Sequence, residues 1–396
     1  MRILVLNGGS SSIKFSIYES GAGAAEAGPR CLFEGELSEI GTQGAKLKVS
    51  NAKGETKLSA QDTGAAIEIA LDAVSKASND APDAVGYRVV HPGAKLRGHQ
   101  RVTTEVLRDL EQAAEFAPLH DPEAVQLMRA AMRRYPESAH YACFDTVFHE
   151  TMPEEATTYP LPPEYREHGV RRYGFHGLSC ESIVRQMRLQ GELPKRMAIA
   201  HLGSGCSVTA LLDGHSVDTT MGLTPTGGVV MGTRSGDLDP GLVVYLLRQQ
   251  QGTREEAVAS VETLLNHGSG IAALSGMAND VRAVRSAAAG GDKRAELALK
   301  VFTRSVTKAI GGYSWLLGGL DAIVFAGGIG EHDSQTRVDI LASATELGVE
   351  IEASDAGGAA GGIQRISRQG SRTKVFIVPS QEDLMIALHV ERMASQ

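Results

Sequence analysis

Cysteine, aromatic residues and excess positive charge are all scarce in this 396-residue chain. Its four cysteines are Cys31, Cys143, Cys180 and Cys206. They form no C-x-x-C pair and no zinc-ligand spacing, so a disulfide scaffold is excluded and a reduced, cytoplasmic chain is expected. One tryptophan and 5% aromatics leave no base-stacking platform. Lys and Arg number 39 against 47 Asp and Glu, a net charge of −8, which argues against a nucleic-acid partner. No apolar run approaches the ~18 residues that cross a membrane. Ile3 to Leu6 is too short for the core of a signal peptide, so a soluble protein is expected.

Apolar residues make up 42% of the chain, enough for two or three domains with substantial cores. Ile3–Leu6 reads as a buried strand closed by the turn cluster Asn7-Gly8-Gly9-Ser10-Ser11-Ser12. The alternating run Ile13–Tyr18 reads as the return strand. More β material is expected near Cys31–Leu37 and Ala45–Val49, and a helix over Ala65–Lys76. Asp83–Val90 reads as a strand delivering Arg88 and His91. Two helices follow, with Val106, Leu110, Ala113 and Ala117 on one face of the first and Val125, Met128, Met132 and Tyr135 on one face of the second. Asp121-Pro122 suits the N-terminus of the second, which places His120 at that end. The strand Tyr141–Phe144 then delivers Asp145.

The second half restarts this layout. Met197–Leu202, the turn Gly203-Ser204-Gly205-Cys206-Ser207 and Val208–Leu212 again read as strand, turn, strand. A third apolar run, Ile323–Ala326, enters Gly327-Gly328-Ile329-Gly330-Glu331. The repetition predicts two related α/β domains with a cleft between them. Glycines that follow strand ends let backbone N–H groups approach phosphate oxygens. A Walker loop is absent, and no strand leads into Gly268-Ser269-Gly270, so that dinucleotide-like stretch is discounted.

Arg88 and Arg234, the latter inside Gly232-Thr233-Arg234-Ser235-Gly236-Asp237, suit anion binding because guanidinium forks match carboxylates and phosphates. Each also fits an ordinary ion pair. His176 fits a satisfied core histidine as well as a functional one. Asp145 fits a turn. Glu382 fits a helix start, where an acid is favoured and where Ser380 and Asp383 have capping-box spacing. Residue patterns alone therefore indicate an α/β enzyme that handles phosphate.

The segments as an ordered set resemble the acetate kinase family of short-chain acyl kinases. They are Leu6-Asn7-Gly8-Gly9-Ser10-Ser11-Ser12-Ile13-Lys14, Arg88-Val89-Val90-His91, Ala117-Pro118-Leu119-His120, Phe144-Asp145-Thr146-Val147-Phe148-His149 and Arg172-Tyr173-Gly174-Phe175-His176-Gly177. Val217-Asp218-Thr219-Thr220-Met221-Gly222 and Met231–Asp237 follow, then Gly328-Ile329-Gly330-Glu331 and Gln381-Glu382-Asp383. Together they run in family order over essentially the whole chain.

The resemblance implies an α/β fold of two duplicated ribonuclease-H-like domains, the actin-like ATPase type, with a nucleotide cleft between them. The expected domains are 1–147 with the C-terminal helix 381–396 packed back, and a nucleotide-binding 148–380. The implied reaction is reversible phosphoryl transfer from ATP to acetate, by a homodimer, with Mg²⁺ or alternatively Mn²⁺. Arg88, Asp145, His176 and Arg234 would be catalytic. Val90, Leu119, His120, Phe175 and Pro225 would bind the acid. Asn7, Ser10, Ser12, Lys14, His201, Gly203, Ser204, Gly205, Asp280, Val281, Arg282, Gly328, Ile329 and Gly330 would bind nucleotide. Asn7, Asp145 and Glu382 would hold the metal.

Some positions depart from the family pattern. Ser204 replaces the Asn of H-L-G-N-G, with a shorter reach. Tyr87 replaces a common His, Pro92 a common Gly, Gly177-Leu178-Ser179-Cys180 the usual G-T-S-H, and Thr226-Gly227-Gly228 the usual L-E-G. None removes a charged catalytic residue. The alternatives are a propionate kinase, a pyrophosphate-dependent acyl kinase and, from another class, a non-catalytic nucleotide-binding regulator. Retention of Arg88, Asp145, His176, Arg234 and Glu382 argues against the last.

Overall fold

A computed structural model of the chain describes residues 1–9, 12–21, 28–42, 44–52, 54–78, 80–113, 121–352 and 362–396. Ser10, Leu119 and His120 lie outside the described residues, as does Ala117 of the expected helix face. The chain divides into two compact units, residues 1–147 with 381–396, and residues 148–380.

The first unit is built on β1 (Arg2–Gly9), β2 (Ser12–Glu19), β3 (Arg30–Ser38), β4 (Lys46–Val49), β5 (Glu55–Lys57), β6 (Ala84–Val89), β7 (Gln100–Arg101) and β8 (Ala139–Phe144), in the order β5-β4-β3-β2-β1-β6-β8-β7. The second is built on β9 (Arg196–Leu202), β10 (Cys206–Leu212), β11 (His215–Thr219), β12 (Ala322–Ala326), β13 (Gln364–Arg365) and β14 (Lys374–Ile377), in the order β11-β10-β9-β12-β14-β13.

The two sheets share a five-strand core. In the first, β1, β2 and β3 are antiparallel, and β6 and β8 continue parallel to β1. In the second, β9 is antiparallel to β10 and β10 to β11, while β12 and β14 continue parallel to β9. Antiparallel neighbours need only short turns. Parallel neighbours need crossovers, which the intervening helices supply. The parallel strands are largely apolar and buried, with polar residues kept to a few positions, and β12 (AIVFA) is buried along its whole length. Leu4, Leu6, Phe15, Ile67, Leu71, Val85, Leu110 and Met128 lie in the first core, and Ile183, Met187, Ile199, Leu211, Val324 and Phe376 in a core of the second.

Three expectations are corrected. Asn7, Gly8 and Gly9 are not a turn. They extend β1 and pair with Lys14, Ile13 and Ser12, because the ladder runs to the last residue before the connection. Cys206 and Ser207 likewise open β10 and pair with Leu202 and His201, leaving Gly203–Gly205 as the turn. Gly327–His332 is a short helix that starts where β12 ends, so only the first two Gly-rich segments join paired antiparallel strands.

The C-terminal helix Glu382–Ala394 lies against β1 and β6 of the first unit. Its cap is Gln381, with no side-chain hydrogen bond, so the Ser380–Asp383 capping box does not form. The approach to β6 is close at Gly86, where a Cβ would stand 2.6 Å from Ile386 Cγ2 and 2.7 Å from Val390 Cγ2. Gly86→Ala should therefore lower stability by about 1–3 kcal/mol through overpacking. Urea denaturation checks this, and an unchanged midpoint would show that the helix yields freely.

Candidate functional site

In the first unit, β6 and β8 run parallel, and their C-terminal ends deliver Arg88 and Asp145 side by side. Arg88 donates from Nε to Asp145 Oδ1 at 3.0 Å and from Nη2 to Oδ2 at 2.6 Å. This two-point geometry fixes the guanidinium plane. Its Nη1 donates to Asn7 Oδ1 at 3.4 Å, and Glu382 Oε2 stands 3.9 Å from Nε. The carboxylate of Asp145 is 1% exposed and the Arg88 side chain 15%. Burial disfavours the arginine charge, but Asp145 and Glu382 outweigh it and raise the Arg88 pKa.

Asn7 sits on β1 and is oriented from its other end. Its Nδ2 donates to Asp383 Oδ1 at 2.9 Å and to Glu382 Oε2 at 3.4 Å, and Ser16 Oγ donates to Asp383 Oδ2 at 3.2 Å. Burial pushes the Asp383 pKa up, Asn7's hydrogen bond lowers it, and Glu382 raises it further. Asp383 was read from sequence only as a cap. No spacing could link positions 7, 16 and 383, since the sheet and the returning helix bring them together. Lys14, paired with Asn7 across the β1–β2 ladder, is exposed, and Ser12 is half-buried. Val90 is buried beyond the end of β6.

Three carboxylates, Asp145, Glu382 and Asp383, thus gather around one arginine and one amide. The negative excess and the all-oxygen donor set of Asn7 Oδ1, Asp145 and Glu382 fit a hard divalent cation.

In the second unit, the β9–β10 turn gathers its own group. His176 precedes the helix Gly177–Leu189 and takes a left-handed backbone, φ 58° and ψ 26°. Its Nδ1 lies 3.0 Å from Ser207 Oγ, and its ring stacks on His201 at 4.2 Å between centroids and 25° between planes. His201 Nδ1 in turn meets Ser179 Oγ at 2.8 Å. A Cβ placed on Gly205 would stand 3.4 Å from both His176 Nε2 and Arg234 Nη1, so the two side chains converge over the bare backbone of this glycine. Arg234 Nη1 also donates to the Pro225 carbonyl at 3.1 Å. The turn itself closes by Gly203 N donating to Gly205 O at 3.1 Å, and Ser204 O accepts from Gly232 N at 3.3 Å.

The discounted Gly268-Ser269-Gly270 stretch has a packing role. Ser269, Ile271 and Ala272 donate backbone hydrogen bonds to Thr233, Met231 and Gly232. Gly270 has φ +67°, and a Cβ there would lie 2.3 Å from the Met231 carbonyl oxygen. It straps the loop that carries Arg234.

The remaining nucleotide candidates divide. Gly327 N donates to Glu331 Oε1 at 2.9 Å, and the buried Arg337 donates to the Gly330 carbonyl at 2.8 Å, so Gly328, Ile329 and Gly330 are held from both sides. Asp280 caps the helix Val281–Ala289 by accepting from Arg282 N at 2.9 Å. Val281 is buried, and the Arg282 side chain is 91% exposed. Phe175 and Pro225 are both buried. Sequence reading gave no role to Arg172, whose Nη1 donates to the carbonyls of Thr219, Thr220 and Met221 and shapes the segment leading to Pro225.

Removing the Asp145 carboxylate would leave Arg88 buried beside weaker partners. Asp145→Ala should therefore cost about 3 kcal/mol of folding stability, at the low end for breaking a buried pair because Asn7 and Glu382 remain. A urea midpoint shift worth under ~1 kcal/mol would show the pair to be solvated.

A model of the Acetokinase family matches residues 2–388. The acetate kinase of Micrococcus luteus is 42% identical over 404 residues, spanning 98% of this chain and 98% of that protein. The crystal structure of Porphyromonas gingivalis acetate kinase is similar with a TM-score of 0.83 at 33% identity, covering 99% of each chain. That of a propionate kinase from Francisella tularensis has a TM-score of 0.87 at 33% identity, again covering 99% of each. The duplicated five-strand cores are thus those of the actin-like kinases, and the chain belongs to the acetokinase family.

Proposed function

We propose that this protein catalyses reversible, direct in-line transfer of the γ-phosphoryl group of ATP to acetate, giving acetyl phosphate and ADP. The observation that carries this reading is the convergence of Arg234 and His176 over Gly205 in a chain that aligns with acetate kinases end to end. The acid and the phosphoryl group are both anions, so fixed positive charge and hydrogen-bond donors must do most of the catalysis.

Arg234 and Arg88 supply permanent charge toward the carboxylate and the moving phosphoryl group. Asp145 holds the Arg88 fork so that it need not reorganise during reaction. The role assigned here puts the His176 proton on Nε2, with Nδ1 accepting from Ser207, so that the ring donates a hydrogen bond toward the phosphoryl oxygens. By the family resemblance, Val90, Leu119, His120, Phe175 and Pro225 would bind the acid, and Asn7, Ser10, Ser12, Lys14, His201, Gly203, Ser204, Gly205, Asp280, Val281, Arg282, Gly328, Ile329 and Gly330 would bind the nucleotide. Mg²⁺, or Mn²⁺ in its place, would be held by Asn7, Asp145 and Glu382, partly through water, and would offset charge on the nucleotide oxygens.

The reading extends to a cytoplasmic homodimer. Cys143, Cys180 and Cys206 are buried and not joined in disulfides, and no described helix is long and apolar enough to cross a membrane. The helix Pro240–Gln249 is apolar, yet every residue in it is half-buried or exposed, with Leu242 at 40%, Val244 at 46% and Tyr245 at 57%. Such a face suits a second copy. Light scattering should give twice the chain mass, and Leu242→Glu with Tyr245→Glu should give the single chain. A monomeric unaltered protein would end the dimer reading.

Trapping acyl phosphate as the hydroxamate, with Mg-ATP and acetate, propionate or butyrate, tests the reaction. Acetate should give strong signal, and Arg234→Ala should lose about 10³-fold in rate while melting normally. One methylene is worth only ~1–3 kcal/mol of discrimination, so propionate should react more slowly rather than not at all. No product from any acid, with ATP still bound, would sink the proposal.

A further inference from the structure

His149 is fully buried in the turn Val147–Thr151 and has not entered the mechanism. Its ring bridges two groups. Nε2 lies 2.9 Å from the Phe175 carbonyl oxygen, and Nδ1 lies 2.9 Å from Ser216 Oγ. A carbonyl can only accept, so Nε2 carries the proton. Burial pulls the His149 pKa down to about 4, and the hydrogen bond to Phe175 offsets this only in part. The ring is therefore neutral near pH 7, and Nδ1 accepts from the Ser216 hydroxyl. Ser216 is itself fully buried, and Thr151 Oγ1 donates to its carbonyl at 2.8 Å.

The carbonyl that His149 holds belongs to the residue before His176. The ring also lies against Gly174, where φ is +77° and a Cβ would stand 2.8 Å from His149 Cγ and Cδ2. His176 adopts a left-handed backbone that costs a non-glycine residue ~1–2 kcal/mol and persists only where its surroundings impose it. On its C-terminal side, Cys180 N donates to His176 O at 3.0 Å and starts the following helix. On its N-terminal side, Tyr173 N donates to Gly222 O at 3.1 Å, and His149 grips Phe175.

We infer that His149 is a positioning residue: locked by Ser216 with its proton on Nε2, it clamps the Phe175 carbonyl and thereby sets the backbone that aims His176. The inference rests on the role given to His176 above. It assigns His149 no contact with substrate. It predicts that the group on Nε2, rather than the bulk of the ring, is what the reaction needs.

The test compares His149→Gln, His149→Leu and Ser216→Ala with the unaltered enzyme, by kcat, by KM for acetate and ATP, and by melting temperature. Gln can place an amide N–H near the Nε2 position and should keep kcat within about threefold. Leu fills the space without a donor and should lower kcat about 10- to 100-fold, with both KM values within about twofold, as expected when a reacting group is misaligned. Ser216→Ala releases the tautomer lock and should lower kcat several-fold at near-normal melting temperature. Wild-type kcat in folded His149→Leu overturns the inference. So does an equal loss in Gln and Leu, which would mark His149 as packing alone. If His149→Leu does not fold, unchanged kcat in Ser216→Ala overturns it.

Failure of the functional reading is separable. If the unaltered protein forms no acyl phosphate, long-range ¹H–¹⁵N spectra of labelled histidines still report on the clamp. A neutral Nε2–H ring at His149, with the His176 signal displaced in His149→Leu but not in His149→Gln, supports it. A neutral Nδ1–H ring or an imidazolium near pH 7 overturns it.

Discussion

Arg88 is held in place by its neighbours, and the polar side chains at that end of the first sheet are arranged around it. A free guanidinium would spend part of its interaction energy on ordering itself and on shedding water. Here the two-point pair with Asp145 fixes its plane, Asn7 accepts from the remaining Nη1, and Glu382 stands 3.9 Å from Nε. The pair exists because β6 and β8 run parallel and adjacent, so equivalent C-terminal ends deliver both side chains to one place. Asn7 is supplied by β1, the next strand, and Glu382 and Asp383 by the first turn of a helix that returns from the chain's far end. Five polar residues from four elements thus depend on the register of one sheet.

The second unit solves a related problem with backbone geometry. Glycine at 205 leaves room for His176 and Arg234 to approach the same point. His176 reaches it from a left-handed conformation, and Arg234 from a loop strapped by the 269–272 backbone. Both are held by neighbouring groups of the same unit. Ser207 and His201 hold the His176 ring, His149 holds the carbonyl before it, and Gly270 permits the strap. The same economy appears at Gly328–Gly330, gripped by Glu331 and Arg337.

Much of this was legible in the sequence. Alternating and continuous apolar runs located β1, β2, β6, β9, β10 and β12, because strand burial leaves a direct pattern. Motif order singled out Arg88, Asp145, His176, Arg234 and Glu382 as candidates. The limits of the turns were less legible. Asn7–Gly9 look like a turn by composition, yet the hydrogen-bond ladder continues through them. Gly327–Gly330 look like a loop, yet they begin a helix. Glycine marks where the backbone is free to choose, and the neighbours make the choice.

The supporting residues were the least legible. Asp383 was readable as a helix cap, and its contacts with Asn7 and Ser16 lie more than 360 positions away in sequence. His149 stood within a recognised motif, but its bond to Phe175 depends on how a turn packs beneath a glycine. The sequence by itself therefore determined the kinds of chemistry available: strand ends carrying charge, bare backbone for phosphate, and the family to which the order of motifs belongs. Tertiary structure alone decided which groups touch and which tautomer or rotamer each must take. Hydrogen bonds and ion pairs act over a few ångströms in space, and separation along the chain says nothing about that distance.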